Sequence, residues 1–167
     1  GGLAGNPSAI QAQVTRMPAD PKAAAVAQHY GAQWLEVHFL DTVIPDPKIF
    51  PGYTDALRTS ALKETVLFFQ QLVAEDLPLQ SLITANFSML NATLGKQYGA
   101  SVSGDNFVKT SLVGTQRVGI LTQDSLLMGK SYADPTSPVM RGYFVLSPLL
   151  STLPAPPAAP PSAARPH

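Results

Sequence analysis

TDALRTSALKETVLFFQQLVAEDLP, running from Thr54 to Pro78, is the stretch from which the fold is read. Thr54 is a helix cap. Leu57, Ala61, Leu62, Val66, Leu67, Phe69, Leu72 and Val73 then cover more than one face before Asp76 and Pro78 stop the helix. A helix apolar over so wide an arc is expected at the centre of the molecule. Glu64 and Glu75 stand eleven residues apart on it, and no neighbouring residue singles out a raised pKa. Glu64, Glu75 and Asp76 therefore read as solvated helix charges.

Towards the N-terminus, Asn6 caps a helix over Pro7–Met17, with Pro7 at the first turn, where its missing N–H costs nothing. Asp20 and Pro21 repeat that start signal. Val26, Tyr30, Trp34 (or Gln33), Val37 and Leu40 follow at steps of three and four, a stripe expected to face the core. Pro45, Pro47 and Pro51 end that helix, and Pro45–Gly52 reads as an extended connector.

Towards the C-terminus, Leu79–Thr84 supplies a turn or two. Asn91 caps a short helix ending at Tyr98, and Gly99 stands where a left-handed residue is needed. Ala100–Gly119 fits a loop or a small hairpin, and Ile120–Met128 a brief helical or irregular segment. Ser137 and Pro138 open a last helix through Arg141, Phe144 and Val145 until Pro148 perturbs it, with Leu149 and Leu150 completing a final turn. Beyond Leu153 the proline content favours polyproline II, a spacer of about 3.1 Å per residue. The expected fold is mainly α: an irregular bundle of about five to seven helices with room for one small hairpin. Residues 1–153 form a single helical domain in this reading, and residues 154–167 a Pro/Ala-rich extended tail or linker.

Composition narrows the function. The chain has 167 residues, of which only 13% are charged, and eleven basic side chains balance eleven acidic ones. No global field gathers DNA, RNA or anionic lipid, which argues against nucleic acid as a partner. Without cysteine, a disulfide, a thiolate metal site and a Cys-x-x-Cys-His haem attachment are all excluded within these residues. The longest apolar run, Thr65–Phe69, falls far short of the roughly 20 residues of a membrane span. No signal segment opens the chain, and Gly1-Gly2 reads as a cut end, so a module taken from a longer protein is expected.

Most candidate chemistry reads as structure. Asp41, Asp46 and Asp55 straddle the proline connector but match no calcium loop. Ser125 and Ser137 lack a nucleophile elbow and a convincing base, so no catalytic residue is assigned. Asn86-Phe-Ser88 and Asn91-Ala-Thr93 fit the glycosylation triplet and read as capping residues. The strongest local chemistry is the start of the last helix, where free N–H groups, Ser137 and Arg141 favour a carboxylate or phosphate, with Asp134 as an internal partner for Arg141.

Five blocks in order carry a family resemblance: Ala61-Leu-Lys-Glu-Thr-Val-Leu-Phe-Phe69; Leu82-Ile-Thr-Ala-Asn-Phe-Ser88; Asn91 through Tyr98-Gly99; Gly119-Ile-Leu-Thr-Gln123; and Pro135-Thr-Ser-Pro-Val-Met-Arg-Gly142 with Leu149-Leu150 and the Pro-rich run. Over roughly Phe50 to Pro161 the chain resembles the planctomycete-type cytochrome-associated families of unknown function, large secreted bacterial proteins that carry c-type haem motifs. Where the family often has a cysteine after the Leu-Leu pair, this chain has Ser151.

The resemblance implies a bacterial, periplasmic or secreted setting, no cofactor held within this chain, and haem c in a partner or in a segment past His167. It makes the anion site at Arg141 and Ser137 a candidate grip on a haem propionate. His29, His38 and Met140 become candidate single axial ligands, although surface or packing roles are their ordinary reading. His29 and His38, nine apart on one helix, point to opposite sides and cannot share a metal. The preferred expectation is a non-catalytic helical module that supports a haem-bearing polypeptide. The alternatives are part of a haem-dependent oxidoreductase, with Tyr30, Tyr132 or Arg141 on the substrate side, and an adhesion or assembly module.

Overall fold

The computed structural model of this chain describes residues 5–42, 46, 48–131 and 137–152. Its core is arranged along helix α3 (Asp55–Ala74), which starts where Thr54 Oγ1 accepts from the Leu57 N–H at 3.1 Å. The buried line of α3 is Leu57, Ser60, Ala61, Glu64, Thr65, Phe68 and Leu72, spaced by threes and fours. Two apolar clusters lie along it. Leu57 and Ala61 pack with Leu40, Leu90, Leu94, Tyr98 and Leu112. Phe68 and Leu72 pack with Leu35, Val37, Leu82, Ile120, Leu126 and Phe144. Glu64 and Thr65 fall between the two.

Helix α1 (Pro7–Arg16) begins as expected, with Asn6 Oδ1 accepting from the Ala9 N–H, but buries none of its residues. The expected second helix forms in an irregular version. A 3-10 turn (Met17–Ala19) ends α1, and the chain is then helical without a break from Pro21 to Trp34, as a 3-10 turn (Pro21–Ala23), a π-helical Val26–Gly31 and a single α-turn α2 (Ala32–Trp34); beyond Leu35–Glu36 it resumes as a 3-10 Val37–Thr42. Glu36 breaks the path with φ 54.

Of the expected stripe, Val37 and Leu40 are buried and Trp34 packs against the core, but Val26 and Tyr30 are 52% and 60% exposed, and Ala27, Gly31 and Leu35 take the core-facing line there. Close approach explains the shift at Val26 and Tyr30. A Cβ on Gly31 would sit 2.9 Å from Phe69 Cδ1, so only a minimal residue can face α3 there, and the larger side chains turn outward. Tyr30 stacks on Trp34 instead. The Trp34 indole N–H donates to the Pro148 carbonyl at 3.0 Å, joining this segment to the C-terminal helix. The connector also departs from expectation: the Ile49 and Phe50 N–H groups both return to the Asp46 carbonyl, so the chain turns there rather than running extended.

After the short helix α4 (Ser81–Thr84), strand β1 (Phe87–Leu90) pairs antiparallel with β2 (Val108–Ser111), in the register Phe87 opposite Ser111 and Leu90 opposite Val108. The anticipated hairpin within 100–119 therefore contributes one strand. Its partner lies upstream, with helix α5 (Ala92–Tyr98) inserted between them. Asn91 holds this corner: Oδ1 caps α5 at the Leu94 N–H (3.1 Å) while Nδ2 donates to Ser60 Oγ on α3 (3.0 Å). Gly99 closes α5 at φ 71, as expected. Asn91→Ala removes the cap and the buried bond together, and should cost roughly 2 kcal/mol. Urea denaturation is expected to show a lower midpoint with an unchanged m-value.

Helix α6 (Asp124–Gly129) follows a 3-10 turn at Ile120–Thr122. Helix α7 (Pro138–Phe144) is capped by Ser137 Oγ and passes into a π-turn, Val145–Leu149, that contains Pro148. The architecture is mainly α with one two-stranded sheet, and among the described residues no helix is long and apolar enough to cross a membrane. The Pro-rich tail, Tyr132 and Asp134 lie outside the described residues.

Candidate functional site

The densest cluster of chemistry sits where the two apolar clusters meet. Glu64 is not a solvated charge: its side chain is fully buried. Oε1 accepts from Ser88 Oγ at 2.6 Å, and Oε2 accepts from the Tyr98 hydroxyl at 2.8 Å. That hydroxyl accepts in turn from the Asp124 backbone N–H at 2.8 Å. Gln123 Nε2 donates to Ser88 Oγ (3.2 Å), and Gln123 Oε1 accepts from Thr65 Oγ1 (2.7 Å), which leaves Ser125 Oγ to donate to Thr65 Oγ1 (2.5 Å). One helical turn of α3, one strand, the end of α5 and the start of α6 thus share a single hydrogen-bonded set.

Two effects oppose each other at Glu64. Both carboxyl oxygens accept hydroxyl donors, an arrangement that suits the anion. Burial penalises the anion more, with the Asp124 charge adding to it, and the pKa is pushed up to about 8 despite Ser88, Tyr98 and the Arg117 charge. Asp124 is likewise raised by burial, against the pull of Arg117. Arg117 Nη1 donates to Asp124 Oδ1 (2.8 Å) and to the Thr122 carbonyl (2.5 Å), and its guanidinium lies 4.2 Å from the Tyr98 ring centroid. Asp124 Oδ2 is buried with no hydrogen-bond partner among the described residues. Burial and the neighbouring carboxylates hold the Tyr98 phenol strongly protonated.

This cluster can keep a proton inside the molecule. It offers no reacting atom to a ligand through either of the two described cavities, neither of which is lined by any of its members.

The residues singled out from sequence are distributed elsewhere. His29 and His38 are exposed on separate segments, so the argument from one continuous helix does not apply. His38 leans on the Phe39 ring, centroids 4.1 Å apart. Met140 is 38% exposed on α7. Ser137 is buried, and its hydroxyl is engaged in capping the Met140 N–H at 3.2 Å. Arg141 reaches the Leu127 carbonyl and Ser131 Oγ. Tyr30 is exposed against Trp34. Asp46 Oδ1 accepts from the Lys48 N–H, and Asp55 pairs with Arg58, so the acidic trio is engaged locally where it is described.

Sequence reasoning missed Glu64, Ser88, Tyr98, Arg117, Gln123 and Asp124. The available signal was spacing: Leu57, Ala61, Glu64, Phe68 and Leu72 step by four, three, four and four, which sets Glu64 on the core-facing line.

Two family profiles match the chain. One, described as PSD4, protein of unknown function (DUF1592), covers residues 2–100. The other, described as PSCyt3, protein of unknown function (DUF1588), covers residues 117–167. The first match begins well upstream of Phe50, where the sequence blocks start. Neither a curated protein nor a solved structure matches. Glu64, Ser88 and Tyr98 come from the first matched stretch, and Arg117, Gln123, Asp124 and Ser125 from the second. More than half of the chain falls within the first profile, so the protein belongs to the planctomycete cytochrome-associated family of unknown function DUF1592, joined here to a DUF1588 stretch.

Proposed function

We propose that this chain is a non-catalytic helical module of a secreted or periplasmic cytochrome c-linked protein, and that it supports or packs against a haem-bearing segment outside residues 1–167. One observation carries the reading: the chain's principal cluster of ionisable and hydroxyl groups is enclosed and spent on holding α3 to residues 117–125, while neither described cavity reaches it. The cytochrome-associated family names supply the partner class.

The residues in hand do not fit a haem site of their own. Thioether attachment needs cysteine, which the sequence lacks, and His29 and His38 are exposed on different segments. Haem c, in this reading, belongs to the neighbouring polypeptide.

Visible absorption tests it. The chain purified alone is expected to be colourless and to lose added ferric haem on gel filtration, yet to co-elute with a separately produced haem-bearing segment of the full protein. Stoichiometric retention of haem by the chain alone would sink the proposal. So would a substrate-dependent Soret change in the full-length protein that disappears on Tyr30→Phe, since that outcome favours an oxidoreductase.

A further inference from the structure

Trp34 is the only tryptophan of the chain, and its indole N–H donates to the carbonyl of a proline, Pro148, in the π-turn that follows α7. The described chain leaves from the same turn: the Thr152 N–H donates to the Leu146 carbonyl at 2.7 Å, just past Ser151 at φ 50. Carbonyls two residues apart lie within one helical pitch, about 5 Å. Residues 153–167 therefore start beside the indole.

Tyr30 extends that surface outward. It stacks on Trp34 with ring centroids 6.2 Å apart and planes inclined by 23°, it is 60% exposed, and among the described residues no hydrogen bond reaches its hydroxyl. The edge of Phe69 braces Trp34 from the other direction, at 6.2 Å. The pair is an aromatic platform with an open hydroxyl donor.

Residues 153–164 read Leu-Pro-Ala-Pro-Pro-Ala-Ala-Pro-Pro-Ser-Ala-Ala and carry no charge, and Pro154, Pro157 and Pro160 recur at steps of three. A polyproline II helix has three residues per turn and rises about 9 Å in each, so these three prolines share one face. Such a helix forms no internal hydrogen bonds: its carbonyls stay open to outside donors, and its proline rings pack on aromatic side chains. Proline fixes φ in advance, which lowers the entropy lost on docking. Only two residues, about 7 Å of extended chain, separate Thr152 from Pro154. The covalent link holds the segment near the platform at an effective concentration on the order of millimolar.

We propose that residues 154–160 dock as a polyproline II helix on the Tyr30–Trp34 platform of their own chain, with the Pro154, Pro157 and Pro160 face on the rings and the Tyr30 hydroxyl donating to a tail carbonyl. The spacer then leaves the module in a set direction. This surface is separate from the Glu64 cluster, and its test makes no use of haem, so it stands or falls independently of the functional reading above.

The test is nitrogen-15 relaxation of the full chain. Order parameters of about 0.8 are expected for the Ala155 and Ala158 amides, against less than about 0.6 for Ala164. Tyr30→Ala changes an exposed side chain and should bring Ala155 and Ala158 down to the Ala164 level. The pair Pro154→Ala and Pro157→Ala should do the same and shift the Trp34 emission to the red. The pair Pro156→Ala and Pro161→Ala removes as many prolines from the other faces and should leave both readouts as in the wild type. These tail variants lie outside the core, which covers the case in which Tyr30→Ala does not fold. In a mixture of labelled and unlabelled chains, contacts from the Tyr30 ring to the tail prolines are expected within one chain only. Wild-type order parameters at Ala155 as low as those at Ala164 overturn the proposal, as do equal responses of the two proline pairs. Order that survives Tyr30→Ala overturns it too, and contacts between different copies replace it with an exchange of tails.

Discussion

Glu64→Ala should destabilise the chain by roughly 3–5 kcal/mol, enough to consume much of the stability of an ordinary domain. The substitution leaves the Ser88 and Tyr98 hydroxyls without their acceptor in a site closed to water, and opens a void between the two apolar clusters. Glu64→Gln isolates the proton from the packing. In the wild type the folded carboxyl keeps its proton up to about 8, whereas the unfolded one releases it near 4.5. Between those values the unfolded state binds fewer protons, so stability must fall as pH rises.

The contribution is complete below about pH 4.5 and gone above about pH 8, with an upper limit on the order of 5 kcal/mol across the window. Asp124, also raised by burial, adds in the same direction. Glu75, lowered by its hydrogen bond from Lys109, is ionised in both states above its ordinary 4.5 and acts only below that, where stability is lost as pH falls. Urea midpoints measured from pH 5 to 9 should therefore decline for the wild type and much less for Glu64→Gln. A wild-type curve that rises or stays level over that range contradicts a protonated Glu64.

Gly119→Ala should be comparably severe, at roughly 4 kcal/mol or more. Gly119 combines φ 52 with ψ −168, a region open to glycine almost alone. A Cβ there would lie 2.2 Å from the Ile83 carbonyl oxygen and 2.4 Å from its carbon, backbone atoms with little room to yield. This close crossing, held by the Gly119 N–H on the Ala85 carbonyl at 2.8 Å, delivers Gln123 to Ser88 and the Asp124 N–H to Tyr98, the two partners of Glu64. Gly129→Ala is the control: nothing lies within 4 Å of the added methyl in α6, and thermal unfolding should be unchanged or slightly raised. Equal melting temperatures for the two variants would rule out the proposed role of Gly119.

What could be read from sequence alone follows from how local each signal is. Asn6, Thr54, Asn91 and Ser137 each cap the helix expected of them, because a cap needs only a side-chain oxygen and an N–H three residues on. Asp20 shows the limit. Its Oδ1 does accept from the Lys22 N–H and a helical run to Trp34 follows, but that run passes through 3-10 and π turns where Gly31 is set against the Phe69 ring. A periodic stripe could not reveal that a partner demanded the smallest side chain. β1 was hidden for a related reason: its pairing with β2 spans the inserted helix α5.

Glu64 was misread because a charged residue in a helix ordinarily faces water. The partners that reverse this lie 24 and 34 residues away in sequence, at Ser88 and Tyr98. The blocks that carried the family resemblance nonetheless contain Glu64 and Thr65, Ser88, Tyr98, and Gln123.

The junction between the two profile matches bears on processing. A nick in the 101–107 loop would produce two fragments, each left with one side of a complementary polar set and one strand of the β1–β2 ribbon, and neither able to hide its share from solvent alone. The fragments are expected to recognise each other and reassemble in register, so proteolytic maturation at that seam would not by itself part them.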